Sequence, residues 1–487
     1  VYTPQGVVSN RDQVSMNQQE WVLPTTGKEV LSWVQNDYVI RVFDRIDALP
    51  PDLWAALLAT EAQQGRSGTP FMTPDYLGAL QNTGCASPET GWTLHLVTLW
   101  RPAAPSNQPT GEVPAYLTGN GSAQPFGGEP ETLTSDAPAH PPASNQLSAA
   151  CVMYVKPHTY GEYVFDWAWA DAYQRHGLDY YPKGVVAVPF TPVPGPRLLA
   201  VGQSARLALV HALVRLSEQL HLSSLHLLFA HDADVAAAQA AGLMLRHTVQ
   251  FHWQNSGGWA DFDAFLASLT QEKRKKIRQE RRKVHEAGVR FHTRLGREIT
   301  AENWDFFYRC YERTYLEHGN APYLSRTFFA TLAASQPENW LLCIASRPDP
   351  LTAQATPIAC SLIALSTYET SDGGQSESNS APRIAYGRYW GALERIDSLH
   401  FEACYYQPIE WCLANGYTRF EGGAQGEHKM ARALMPVQTT SAHWLAHPAF
   451  ADAIERYLQR EGEGIAHYMA DLAQRTPFKR PVPPQGT

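Results

Sequence analysis

The sequence predicts an α/β (α+β) protein of two tandem units, each a mixed β-sheet flanked by helices, and three observations carry that expectation. In residues 383–429 an alternating stretch (Tyr386, Arg388, Trp390), a loop, a helix, a short strand and a polar turn follow one another. Residues 183–230 present a similar order: the run GVVAVPF, the turn TPVPGPR, a helix over 204–220 and the strand SSLHLLFA. Finally, residues 70–80 match 322–332 in class at most positions without a gap, and a duplication is the simplest account.

A chain of 487 residues with 44% hydrophobic content is too long for one ordinary core. Its formal charge of −8 excludes a general nucleic-acid or membrane binder, so any basic site must be local. The cysteines, Cys85, Cys151, Cys310, Cys343, Cys360, Cys404 and Cys412, have no paired-ligand spacing and sit mostly in apolar runs. They read as buried thiols in a reducing cytoplasm. No apolar run is long enough for a membrane span, and the residues after Val1 lack a signal-peptide profile, so a cytoplasmic location is expected.

Taken in order, residues 1–37 are polar and aperiodic and are expected to be a flexible arm. The first unit spans 38–245, with a strand at 38–46, helices at 50–61 and 74–80, and a strand ending at Trp100. Residues 101–149 are rich in Pro, Gly, Ser, Asn and Thr, cannot offset their ordering entropy, and are expected to be a disordered insertion. Counting agrees: Trp92 and Cys151 lie 59 residues apart, whereas Trp340 and Cys360, at the matching strands of the second unit, lie 20 apart. That second unit spans 246–480, carries a polar hairpin tip at 367–382, and is followed by a tail at 481–487.

Residues 271–287 predict a helix that starts after Thr270 and stops at Gly288. It carries Lys273, Arg274, Lys275, Lys276, Arg278, Arg281, Arg282 and Lys283, with Ile277 and Val284 as its apolar seam. In an acidic chain such a one-sign cluster suits phosphates, although charge runs are also commonly plain solvated faces. In 383–429, Asp397 or Ser398 is expected to cap a helix that ends before Gly416, with Pro408 kinking it. A strand at 417–421 follows.

The segments FHWQNSGGW, KRKKIRQERRKV, YGEYVFDWAWADAY, YYPKGVVAVPFTPVPGPRLL, YGRYWGA, LHFEACYYQPIEW and EGGAQGEHK together resemble the Fem-like N-acyltransferases, a branch of the GNAT superfamily. The resemblance covers most of 38–479. It implies two tandem GNAT folds and transfer of an acyl or aminoacyl group to an amine, as in the Fem enzymes that carry an amino acid from aminoacyl-tRNA to a peptidoglycan precursor. Gly184, Pro194, Gly258, Trp259 and Ala433 depart from the family pattern, which puts local loop shape in doubt.

Acyl transfer to an amine needs a base, donors for the oxyanion and an acid for the leaving group. His400, Glu402, Tyr405, Glu421, His428 and Lys429 are the catalytic candidates, because the end of a strand and the first turns of the adjoining helix meet in a β-loop-α-β unit. Thr191, Gly195 and Arg197 of the TPVPGPR turn are the donor-binding candidates. Glu162, Asp166, Trp167, Trp169 and Asp171, together with Tyr386, Arg388, Trp390 and Gln425, are the substrate-binding candidates. No tightly bound cofactor is expected, only acyl-CoA or aminoacyl-tRNA as co-substrate, with tRNA a possible partner. His231, Asp232 and Asp234 lack a fourth ligand, so no metal is assigned. The competing reading is a non-catalytic protein that binds a cell-wall peptide or sugar.

Overall fold

The computed structural model describes residues 29–35, 37–64, 68–102, 145–349, 354–366, 382–423 and 426–479. The expectations for 1–28, 103–144, 367–381 and 481–487, and for Gln425, lie outside these residues.

The chain is a mixed α/β structure around one 14-stranded sheet. Its strands are β1 (Glu29–Gln35), β2 (Tyr38–Phe43), β3 (Thr93–Pro102), β4 (Asn145–Lys156), β5 (Lys183–Val186), β6 (Leu199–Ala200) and β7 (Ser224–Ala230), then β8 (Met244–Gln254), β9 (Arg290–Leu295), β10 (Trp340–Pro348), β11 (Ala355–Leu365), β12 (Ile384–Ala392), β13 (Arg419–Glu421) and β14 (Met435–Leu445). The spatial order is β1-β2-β3-β4-β5-β7-β14-β8-β13-β12-β11-β10-β9, with β6 beside β4.

One succession of pairings occurs twice. β2-β3-β4-β5 and β9-β10-β11-β12 are antiparallel neighbours, β5-β7 and β12-β13 are parallel, and an antiparallel strand closes each set. That closing strand is exchanged: β14 closes the first set and β8 the second. The two meet where β8 and β14 pair from Met244↔His443 to His252↔Met435. The expected boundary at 245/246 therefore falls inside β8.

Helices cover both faces. They are α1 (Pro51–Gln63), α2 (Pro74–Asn82), α3 (Trp167–Arg175), α4 (Gln203–Gln219), α5 (Asp232–Ala240), α6 (Phe262–Ser268), α7 (Gln271–Glu286), α8 (Ala301–Glu317), α9 (Arg326–Ser335), α10 (Leu399–Phe401), α11 (Gln407–Ala414) and α12 (Pro448–Gln474). The two matched segments begin α2 and α9 in the same way. Thr73 accepts from the Tyr76 N–H and Ser325 from the Phe328 N–H, each satisfying an otherwise unpaired donor of the first turn. The two helices pack together, Tyr76 edge-on to Phe328 with ring centroids 5.5 Å apart. Ile277 and Val284 are buried under α7, the seam that the spacing required.

Three expectations need correction. Residues 29–35 of the expected arm form β1, paired with β2, because Leu31 and Trp33 alternate inward onto the core of the first set. The ends of the expected insertion are strand: Arg101 and Pro102 pair with Gln146 and Asn145, and Leu147 and Ala149 are buried. Neither Asp397 nor Ser398 caps a helix by its side chain; Ser398 is left-handed at φ 68°.

Candidate active site

The parallel strands β12 and β13 pair only over Ile384↔Arg419 to Tyr386↔Glu421. Beyond Tyr386, β12 runs on while the other strand ends and the chain turns at Gly422 and Gly423, so the two splay apart. Gly423 sits at φ 86°, a conformation that a side chain would strain. The helical stretch 399–414 starts at the mouth of this splay. It is not one α-helix, because residues 402–406 form a π turn between α10 and α11.

Pro408 accounts for part of that turn. The Gln407 N–H reaches Glu402 O five residues back, and the next bond of that pattern would run from residue 408 to Ala403 O, but proline has no N–H. Ser361 Oγ of β11 donates to Ala403 O instead, at 2.6 Å. The helix is thus pinned to the sheet at the level of the splay.

A cavity of about 310 Å³ fills the splay, and it collects His400, Tyr405, His428, Lys429, Arg388 and Trp390. His400 lies edge-on to Trp390 and Tyr405, and burial, helped by nearby His428, lowers its pKa to about 4. Burial also lowers that of His428, with Arg432 and Lys429 adding to the effect. Both imidazoles are therefore neutral near pH 7. Tyr405 lies 3.4 Å from His428 Nε2 through its hydroxyl, and burial raises its pKa, which keeps it a donor. Lys429 Nζ donates to Gly423 O at 2.9 Å, and burial draws its pKa down to about 8. Arg388 Nη2 donates to Phe190 O at 2.9 Å and lies 3.4 Å from Thr191 Oγ1, so the turn after β5 supports this wall.

Other candidates are elsewhere. Glu402 faces α7, 3.1 Å from Arg281 Nε, and accepts from Gln407. Burial raises its pKa against the pull of Arg281. Glu421 is buried 2.9 Å from Arg419 Nη2 and does not line the cavity. Tyr386 is buried with its ring 5.4 Å from that of Phe71.

The donor reading of the first turn is corrected by Arg197. Its guanidinium is enclosed and donates to the carbonyls of Leu228, Pro196 and Val193, while its own N–H and that of Leu198 donate to Asp234. A side chain spent on backbone oxygens is not free for a phosphate. Gly195 bridges to Ala230, and a Cβ there would meet Thr69 at 3.3 Å.

The basic helix α7 divides into two kinds of cation. Arg281 bonds to Glu402 and Glu410 over the ring of Phe262, and is part of the packing. Lys275, Lys276, Arg278, Arg282 and Lys283 are exposed; Lys273 and Arg274 are half-buried. Among these, Lys273, Arg282 and Lys283 lie near Glu272, Glu286 and Asp397.

Residues 162–167 are turned inside out. Glu162, Val164 and Asp166 are buried, while Tyr163, Phe165 and Trp167 are exposed. The carboxylates dictate this: Lys183 Nζ lies 2.8 Å from Glu162 and bonds Asp166, and Thr159 Oγ1 lies 3.0 Å from Glu162 and 2.8 Å from Asp166. Buried charge must be matched, and the matching forces the alternate side chains outward. This corrects Glu162 and Asp166 as substrate contacts. Trp169 is also buried, edge-on to His443, and Asp171 pairs on the surface with Arg175.

The outward rings line a second cavity of about 570 Å³, with Tyr160, Tyr163, Phe165, Trp167, Tyr323, Arg246, Thr248 and Gln250 in its walls. Of these, Trp167 was expected as a substrate contact, and Tyr163 lies in the same sequence group. The signal for the others was the strict alternation of aromatic with other residues in YVFDW.

Residues 135–480 match the FemAB-like family, described as peptidoglycan biosynthesis/recognition. No curated protein matches the chain. Among solved structures it is similar to FemX, at 9% identity and a TM-score of 0.44, covering 84% of this chain and 98% of that one. It is similar also to L-PGS from Bacillus licheniformis, at 10% identity and a TM-score of 0.39, covering 64% and 86%. With well over half of its length inside the family match, the chain belongs to the FemAB-like family of peptidoglycan biosynthesis/recognition proteins.

Proposed function

We propose that this protein is a GNAT-type N-acyltransferase that moves an acyl or aminoacyl group from acyl-CoA or aminoacyl-tRNA to an amine, the acceptor being a cell-wall precursor. The observation that carries this reading is the cavity in the β12/β13 splay. Two neutral imidazoles, a protonated tyrosine and a lysine converge there at the start of a helix.

The chemistry follows from those groups. The amine nitrogen bonds to the acyl carbonyl carbon, His428 takes the amine proton, and Lys429 with Tyr405 donates to the oxyanion. The bond from carbon to the carrier's oxygen or sulfur then breaks, and the carrier leaves with the proton that His428 took from the amine. The aromatic cavity takes the acceptor, its rings stacking on flat or C–H-rich faces. The exposed cations of α7 suit donor phosphates.

The test is incubation of the protein with acyl-CoA and aminoacyl-tRNA donors and amine-bearing cell-wall fragments, read by mass spectrometry. A new amide that disappears with Lys429→Met supports the reading. No transfer from any donor, with fragments still bound, favours the non-catalytic alternative. The exposed Phe165 and Trp167 rings are the feature on its side.

A further inference from the structure

We propose that the cavity between β12 and β13 receives a ligand oxyanion, a carboxylate or a phosphate, and excludes a free ammonium group. If the cavity is the donor site, as argued above, the transferred unit or its carrier brings that anion.

Lys429 is 4% exposed. Its ammonium has a single backbone acceptor, Gly423 O, and among the described residues no carboxylate lies within ion-pairing distance of it. The two other buried lysines are matched. Lys183 contacts Glu162 and Asp166, and Lys156 lies 3.9 Å from Glu162. A buried cation left without a counter-charge is costly, so this fold balances lysines where it has no use for their charge. At Lys429 it does not.

Arg388, also in the wall, is engaged elsewhere: its Nη2 donates to oxygens of Phe190, Thr191 and Tyr389, and its guanidinium lies over the rings of Phe71 and Tyr389. Among the described residues no aspartate or glutamate lines the cavity. The nearby Glu421 is engaged with Arg419. His400 and His428 are neutral, so nothing in the cavity offsets Lys429, and a low-dielectric cavity concentrates its potential. An oxyanion would supply the missing charge and accept from Lys429. A free ammonium would be a second positive charge with no acceptor of opposite sign.

The experiment is calorimetric titration of the full chain at pH 7 with succinate, inorganic pyrophosphate and glycinamide. Succinate represents an acyl carboxylate, pyrophosphate a carrier phosphate, and glycinamide an unmodified aminoacyl group. At least one anion should bind saturably, and the tighter of the two identifies the source. Lys429→Met should weaken it about tenfold or more, with Lys429→Arg retaining it. Lys429→Gln is the second variant and should weaken the same anion.

Glycinamide binding as tightly as the anions, or anions binding both variants as they bind the parent, would overturn the proposal. If anions bind through Lys429 but no donor supports transfer, the oxyanion site stands and the transferase reading falls. If an unmodified aminoacyl donor is used and neither anion binds, the reverse holds.

Discussion

Ser361 and Ala403 are joined by a 2.6 Å hydrogen bond from hydroxyl to carbonyl, across the gap that Pro408 leaves in the helix. Both ends are buried, so Ser361→Ala should cost about 1–3 kcal/mol in denaturant unfolding. In a Pro408→Ala background, position 408 has its own N–H and the same change should cost less. Equal costs in both backgrounds would separate the serine from the proline.

Lys429 sets a pH limit. A lysine is charged below its pKa, and burial places this one at about 8. Anion affinity should be flat just below pH 7 and fall above pH 8, approaching about tenfold per unit. Lys429→Arg should move the falling limb beyond about pH 10. An unchanged limb in that variant would assign it to another group.

The cations of α7 should separate by experiment. Lys275, Lys276, Arg278 and Arg282 replaced together by Gln should leave stability within about 0.5 kcal/mol and flatten the salt dependence of tRNA binding. Arg281→Gln should instead destabilise by about 2 kcal/mol, because buried Glu402 loses its charged partner. Identical salt slopes for parent and quadruple variant would remove tRNA as a ligand of this face.

The β3/β4 hairpin offers a fourth test. Pro102 pairs with Asn145, so replacing 103–144 with an Asn-Gly turn keeps the ladder intact. The melting temperature should move by less than about 3 °C. Deleting 101–149 instead removes buried Leu147 and Ala149 and should unfold the first set of strands.

Much of the site was legible because a β-loop-α-β unit brings one strand end and one helix start together wherever it occurs. That logic alone placed His400, Tyr405, His428 and Lys429 in company. Glu402 and Tyr406 stand four residues apart, and both face α7, where Tyr406 bonds Glu280. What spacing could not show was which face the cavity takes. Arg197 was unreadable for a different reason: whether a turn's carbonyls point at a guanidinium depends on tertiary packing, and TPVPGPR looks the same either way. The aromatic wall was missed because sequence patterns assume that rings go inside and charges outside, and Lys183 reverses that rule locally.

The exchange of β8 and β14 has a consequence for how the protein is made. A ribosome that has emitted residue 245 has produced every strand of the first set except its closing one, and the exposed edge of β7 waits until Leu445 has emerged. Until then the nascent chain carries an unpaired parallel-sheet edge, a surface prone to wrong partners and one that chaperones cover. Folding of the first set is thereby tied to synthesis of a strand about two hundred residues later, and a message truncated after β13 would leave that set without its closing strand while the second set already holds β8.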